Sequence, residues 1–274
     1  MLAQAPTGRS FVWKATGRQT SIYLVGSVHL LSKDYYPLSA ALDQSFKDSD
    51  LLVEELDLGE MLEPTAQMRM LTRGMLPAGQ TLDKVVSPET FEMVGKRATA
   101  LGLPTEPLRQ FKPWSLALML MSLEWNNAGF DADLGLDKYF YDKAKADGRL
   151  IQGLETPEYQ VSRLDEMSPE QQDRFLAGTL KDLETGPQSV EDLAKAWKAG
   201  DAGAIERLAL DDLRKEQELY QRMILDRNRN WLPKIEALFN RRGRALVVVG
   251  AAHLVGPDGL LAMLKAKGYT IEQL

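Results

Sequence analysis

The chain has no cysteine and only two histidines in 274 residues. Without thiols it can form no disulfide, no zinc knuckle and no cysteine nucleophile, although its compartment stays open. Long apolar runs are also missing. The strongest, Trp114 to Leu123, is too short to span a bilayer and reads as a buried helix. No basic stripe interleaved with aromatics appears, and the formal charge of -6 argues further against a nucleic-acid partner. The opening Met1 to Pro6 has neither a basic nor a long apolar region, so it does not read as a signal peptide and is expected at most to be the remnant of a removed one. With 44% hydrophobic residues and no low-complexity linker, the composition is that of an ordinary globular chain, large enough for one big α/β domain or two modest ones.

The two histidines sit in matching contexts. Ser21-Ile22-Tyr23-Leu24-Val25-Gly26-Ser27-Val28-His29 and Ala245-Leu246-Val247-Val248-Val249-Gly250-Ala251-Ala252-His253 each read as a short apolar run followed by G-x-x-H. An apolar run of this kind describes a fully buried parallel strand, and open α/β sheets bind ligands at the carboxyl ends of such strands. Gly26 and Gly250 are expected to let the chain turn sharply there. One isolated imidazole is most often a turn cap. Two at identical strand exits point to one shared site, and imidazole is the commonest neutral metal ligand.

The rest of the chain gives strand-rich ends, 10–58 and 244–274, around a helical middle, 59–240, that holds one strand near 149–154. Phe11 to Ala15 and Ser21 to Val25 flank the turn-like Thr16 to Gln19 and suggest a hairpin. Leu51 to Leu56 reads as a third strand, after a helix near Pro37 to Lys47. Pro77, Pro88, Pro104 and Pro113 fit helix entrances or turns. The charged run Asp211 to Arg229 reads as one long amphipathic helix, and strand Ala245 to Val249, helix Pro257 to Lys267 and a strand around Tyr269 to Ile271 close the chain. The expected fold is α/β: a central mixed, mostly parallel sheet surrounded by helices, as a single domain, 1–274, with a helical insertion.

Carboxylates at comparable strand ends would complete a site. The two-residue period puts Val53, Glu55 and Asp57 on one side and Leu52, Glu54 and Leu56 on the other, so Glu55 and Asp57 are expected to act together. Glu155 directly follows the strand Leu150 to Leu154. Singly, each is more often a solvated loop residue or a helix cap. Several strand ends bearing His or Glu are harder to dismiss.

In order along the chain, Gly26-Ser27-Val28-His29, Glu55-Leu56-Asp57, Gly135-Leu136-Asp137, Gly153-Leu154-Glu155-Thr156, Arg227-Asn228 with Trp231, and Gly250-Ala251-Ala252-His253 resemble the signature of the TraB/PrgY/GumN family, which includes the Tiki metalloproteases. The resemblance covers nearly the whole chain. It implies a fold like that of the ChaN and erythromycin-esterase group, and a metal-dependent hydrolase, a peptidase by analogy with the Tiki-type members. It also implies that His29 and His253 are metal ligands and that Glu55 is a ligand or general base. Arg227 would sit in the same cleft, where its planar fork could hold a substrate carboxylate or an oxyanion. Asp137 and Glu155 match family positions and are expected to hydrogen bond to an imidazole from behind, with Gly26, Gly250, Asp57 and Asn228 in support.

A divalent ion on two imidazoles and a carboxylate would acidify water for attack on a carbonyl. The donor set suits zinc, manganese, cobalt or iron alike. The helical H-E-x-x-H of ordinary zincins is absent. The expected partner is a peptide or protein substrate, with no membrane span, an open oligomeric state, and residence outside the cytoplasm, periplasmic or secreted, ahead of a cytoplasmic one. Two other classes stay open: a non-catalytic protein that sequesters a peptide or haem-like ligand in the same cleft, and a structural partner whose histidines only brace the sheet. The methionines at 61, 68, 70 and 75 read as core filling before they read as an adaptable groove. Arg241-Arg242-Gly243-Arg244 reads as a loop ahead of the last buried strand.

Overall fold

The computed structural model describes residues 8–184, 186 and 188–274; the opening Met1 to Pro6 lies outside them. Six strands form one sheet: β1 (Val12–Thr16), β2 (Ser21–Ser27), β3 (Leu51–Glu54), β4 (Leu150–Gly153), β5 (Ala245–Gly250) and β6 (Thr270–Gln273). Their order across the sheet is β4-β3-β5-β2-β1-β6. β4, β3, β5 and β2 run parallel, and β1 pairs antiparallel with β2 and β6. The expected mixed, mostly parallel α/β sheet is what forms.

Burial explains the order. Every residue of β5 and of β2 is buried, as a strand covered on both faces requires, and these two lie side by side at the centre. β4 and β6, with alternating exposed and half-buried residues, take the two edges. The registers Ser27↔Gly250, Glu54↔Val248 and Glu54↔Gly153 align four carboxyl ends along one rim. Backbone bonds from Leu154 to the Glu54 carbonyl and from Glu155 to the Glu55 carbonyl, both 2.8 Å, extend that alignment past the last strand residues.

The described residues divide into two compact units, one of 8–58, 129–156 and 190–274, the other of those within 59–128 and 157–189. The first holds the sheet. The second is helical and is built around Pro88–Ala100, Pro113–Asn127 and Pro169–Glu184. Pro88 and Pro113 open their helices, where the missing N–H costs nothing. The apolar run from Trp114 is the expected core helix: Leu116, Ala117 and Leu120 are fully buried against Leu176 and Leu180. Leu120→Ala is therefore expected to lower stability by about 2–5 kcal/mol, read as a lower urea midpoint; an unchanged midpoint would contradict this packing. Met68 is 63% exposed, so that part of the methionine cluster does not fill a core.

The single long helix expected over 211–229 does not form. The chain instead passes through a 3-10 turn (Leu213–Lys215), one short α turn (Gln217–Tyr220) and a π-helical turn (Gln221–Leu225) into the helix Asp226–Leu238. A π turn fits in one more residue than an α turn and rotates the face that follows. Downstream of it Arg227, Asn228, Trp231 and Ile235 are all buried, with two consecutive polar residues turned inward. Charge periodicity cannot show such a rotation.

Candidate functional site

The aligned rim brings its polar side chains together at the ends of β4, β3, β5 and β2. Glu55 leaves β3 and turns inward, 7% exposed, where its Oε1 accepts the Gly250 amide at 2.7 Å. Its Oε2 accepts from Arg227 Nη2. Arg227, 5% exposed, is a hub. Its Nε donates to both Glu155 oxygens at 3.1 and 3.3 Å, Nη2 to Glu155 Oε1 at 2.8 Å, and Nη1 to His253 Nε2 at 3.0 Å. Trp231 completes Glu155 with an Nε1 bond of 2.8 Å and lays its ring 4.6 Å from the guanidinium carbon.

These contacts settle the His253 tautomer. Guanidinium can only donate, so Nε2 supplies a lone pair and Nδ1 carries the proton, which goes to Asn228 Oδ1 at 2.8 Å. The Asn228 amide is held the right way round because its Nδ2 donates to the carbonyls of His253 and Asp258. Burial and then Arg227 push His253 down to about 3, so the ring is neutral. Burial alone would raise Glu55, but Arg227, His253, His29 and the Gly250 amide outweigh it and keep the carboxylate ionised well below its usual range. Burial raises Glu155, with Arg227 pulling the other way.

His29 is the open counterpart. More than half of its side chain (59%) is exposed, and Nδ1 lies 2.8 Å from Asp137 Oδ2. Asp137 is presented by the first turn of the helix Leu136–Ala146, which is joined to the His29 turn by a bond from the Leu136 amide to the Val28 carbonyl. The Asp137 carboxylate raises His29 to about 9 against the opposing effect of desolvation, with Glu55 adding to the rise. The two copies of one motif thus end in opposite states, one imidazole buried and neutral, the other open and inclined to hold a proton.

Gly250 explains how the groups converge. A Cβ there would lie 3.1 Å from Glu55 Oε1, 3.4 Å from His29 Nε2 and 3.6 Å from His253 Cδ2, so all three close on one bare Cα. The expected sharp turn is not the reason for the glycine: neither Gly26 nor Gly250 has a positive φ. At Gly26 a Cβ would fall 2.4 Å from the Phe11 ring. Both glycines supply space. Gly250→Ala is expected to cost about 1–3 kcal/mol by displacing Glu55, and Gly26→Ala at least as much by displacing Phe11; urea midpoints equal to the parent's would refute the close approach.

Of the residues singled out from the sequence, His29, Glu55, Asp137, Glu155, Arg227, Asn228, Gly250 and His253 gather here. Gly26 lies below, where its carbonyl accepts Trp197 Nε1. Asp57 parts from Glu55, because β3 ends at Glu54 and alternation does not continue past it. Asp57 instead adds to the negative surroundings of Glu54. Glu155 backs Arg227 and Trp231 rather than an imidazole. Arg227 is not an open clamp, since its donors are taken by the protein.

Glu54 is the residue that the sequence reading missed. It is 2% exposed, and among the described residues no side chain hydrogen bonds to its carboxyl group. Burial, then Asp137 and Asp57, push it up to about 9, so it is a neutral acid at pH 7. The signal was available: alternation had placed a glutamate on the leucine face, where an ionised carboxylate does not belong.

The donor types suit a divalent ion: two imidazoles and an ionised carboxylate, with His253 Nε2 3.9 Å from Glu55 Oε1. Among the described residues no three such groups stand ready around a cation; Arg227 bonds the His253 Nε2 lone pair and one Glu55 oxygen.

The model of the TraB/PrgY/gumN family matches residues 11–273. This chain belongs to that family. Two relatives, each named as the uncharacterized protein YbaP, are 26% identical over 263 residues in Shigella flexneri and 25% over 262 residues in Escherichia coli strain K12, each covering 94% of both chains. No solved structure matches. Membership in the TraB/PrgY/gumN family accords with the ordered set of motifs, and those motifs supply nearly every residue of the rim cluster. No described helix is long and apolar enough to cross a membrane.

Proposed function

We propose that this TraB/PrgY/gumN chain is a metal-dependent hydrolase acting on peptide or protein substrates. The observation that supports the reading best is the closing of His29 Nε2, Glu55 Oε1 and the His253 ring on the bare Cα of Gly250, at the carboxyl rim of a parallel sheet. His29, His253 and Glu55 would hold zinc, manganese or cobalt. Such an ion, when bound, supplies Lewis acidity toward a carbonyl and makes water acidic near pH 7.

The chain's own residues do the rest. Asp137 anchors His29 Nδ1 so that Nε2 faces the cluster, and the exposure of His29 leaves a side from which substrate can approach. Asn228 fixes the His253 tautomer with Nε2 as the acceptor. Glu55, kept ionised by its neighbours, would serve as the anionic ligand. Glu155 and Trp231 hold the Arg227 charge within the buried half of the site. Residence outside the cytoplasm belongs to the same proposal.

The test is cleavage of a degenerate peptide library, with and without chelator, by the parent and by the His29→Ala/His253→Ala double variant. Expected is cleavage that drops at least about a hundredfold with chelator, returns with one added ion and is missing from the variant. Peptide binding with no turnover under any ion would replace this reading with the sequestering one.

A further inference from the structure

We propose that Arg227 stands in for the cation in the ion-free protein, so that guanidinium and metal exclude one another at His253. The inference rests on the metal reading above and adds to it a built-in competitor.

Lone pairs decide the competition. His253 has a single lone pair to offer, at Nε2, because Asn228 fixes the proton on Nδ1. Arg227 Nη1 occupies that lone pair at 3.0 Å, and Nη2 occupies Glu55 Oε2. A coordinated ion sits about 2.0–2.1 Å from an imidazole nitrogen, along the same lone pair, and an N–H cannot share it. Two oxygen or nitrogen ligands of one ion lie about 3.0–3.5 Å apart, given bonds of about 2.0–2.2 Å. His253 Nε2 and Glu55 Oε1 are 3.9 Å apart, so a small closure suffices once the guanidinium withdraws.

Glu155 gives the guanidinium somewhere to stay. It holds Arg227 by Nε and Nη2, and Trp231 both stacks on the guanidinium and bonds the same carboxylate. Arg227 can thus release His253 and Glu55 while keeping an anionic partner and remaining buried. This assigns Glu155 a positioning role: it is the partner that Arg227 keeps in both states. A competitor of this kind lowers the apparent affinity for the ion by the fraction of time that it occupies the ligands.

The experiment is isothermal titration of the full chain with manganese, cobalt and zinc, for the parent, Arg227→Gln and Arg227→Lys, each also carrying His29→Ala as a control for the site. A nitrogen NMR spectrum of His253 Nε2 is recorded before and after ion addition. Expected is one site whose affinity rises about tenfold or more in both variants and vanishes with His29→Ala, and a parent Nε2 signal that changes environment on ion binding. Arg227→Lys keeps the positive charge but cannot make the forked contacts, so it separates occupancy from simple repulsion, and it serves if Arg227→Gln does not fold. Tightening in the Gln variant alone would mean charge repulsion and overturn the exclusion. Equal affinity in all three folded proteins would overturn it and leave the metal reading intact. No binding to any of them would overturn both.

Discussion

Arg227→Gln is expected to lower the stability of the ion-free sheet unit by about 3–5 kcal/mol at neutral pH, the usual cost of removing one partner from a buried charge network. Glu55 and Glu155, 7% and 9% exposed in the parent, would lose their guanidinium partner. The loss should depend on pH in a definite sense. In the parent, Glu55 has a depressed folded pKa, so its contribution is present above its ordinary value of 4.5 and disappears as pH falls through the lower folded value. In the variant the two carboxylates lack the partner that keeps them ionised and take up protons at higher pH. The gap between parent and variant should therefore be wide at pH 7.5 and narrower at pH 4.5. Urea midpoints at the two pH values check this, and equal gaps would show that packing, not charge, carries the effect.

The second large effect is expected at the open histidine. In the ion-free protein, Asp137→Asn should bring the His29 pKa from about 9 down toward its ordinary 6.5, since the Asp137 carboxylate is the largest cause of the rise. A raised folded pKa contributes stability that is fully present below 6.5 and is lost as pH climbs through about 9. The parent should lose a small increment across that window, small because His29 is exposed and water screens the pair. The variant should lose none of it. Proton NMR titration of the imidazole reads the shift directly, and an unaltered titration would remove Asp137 as its cause. Because this contact also orients the ring, ion affinity should fall about 10–100-fold in the same variant.

How much of this could be read beforehand follows from what each residue depends on. The strands carrying His29 and His253 announce themselves because a strand buried on both faces must be apolar throughout, and β2 and β5 are. Their adjacency was implied by the repeated motif. The family resemblance placed Arg227 in the cleft, but its burial as the hub was not legible, because that depends on a π turn whose signature is backbone hydrogen bonding rather than side-chain pattern. Nor was the separation of Glu55 from Asp57, since a period of two holds only while the strand lasts and β3 stops one residue short of Glu55. The identity of the polar cluster was legible; its internal pairing, with a guanidinium at the hub, required three dimensions.

The order of the strands also bears on how the molecule is made. β5 lies between β3 and β2, yet it is the fifth strand in the chain, beginning at Ala245. As a ribosome delivers the chain, the β1–β2 hairpin and the β3–β4 pair can form early but have no edge in common. Only when residues 245–250 emerge are the two halves joined, and that segment brings Gly250, with His253 three residues behind it. Assembly of the sheet is thus dominated by contacts distant in sequence, which fold slowly and leave strand edges exposed in the meantime. A chain halted before Ala245 would carry His29, Glu55, Glu155 and Arg227 with nothing to unite them, so synthesis closes the centre of the sheet and the rim cluster together, late, with only the edge strand β6 still to come.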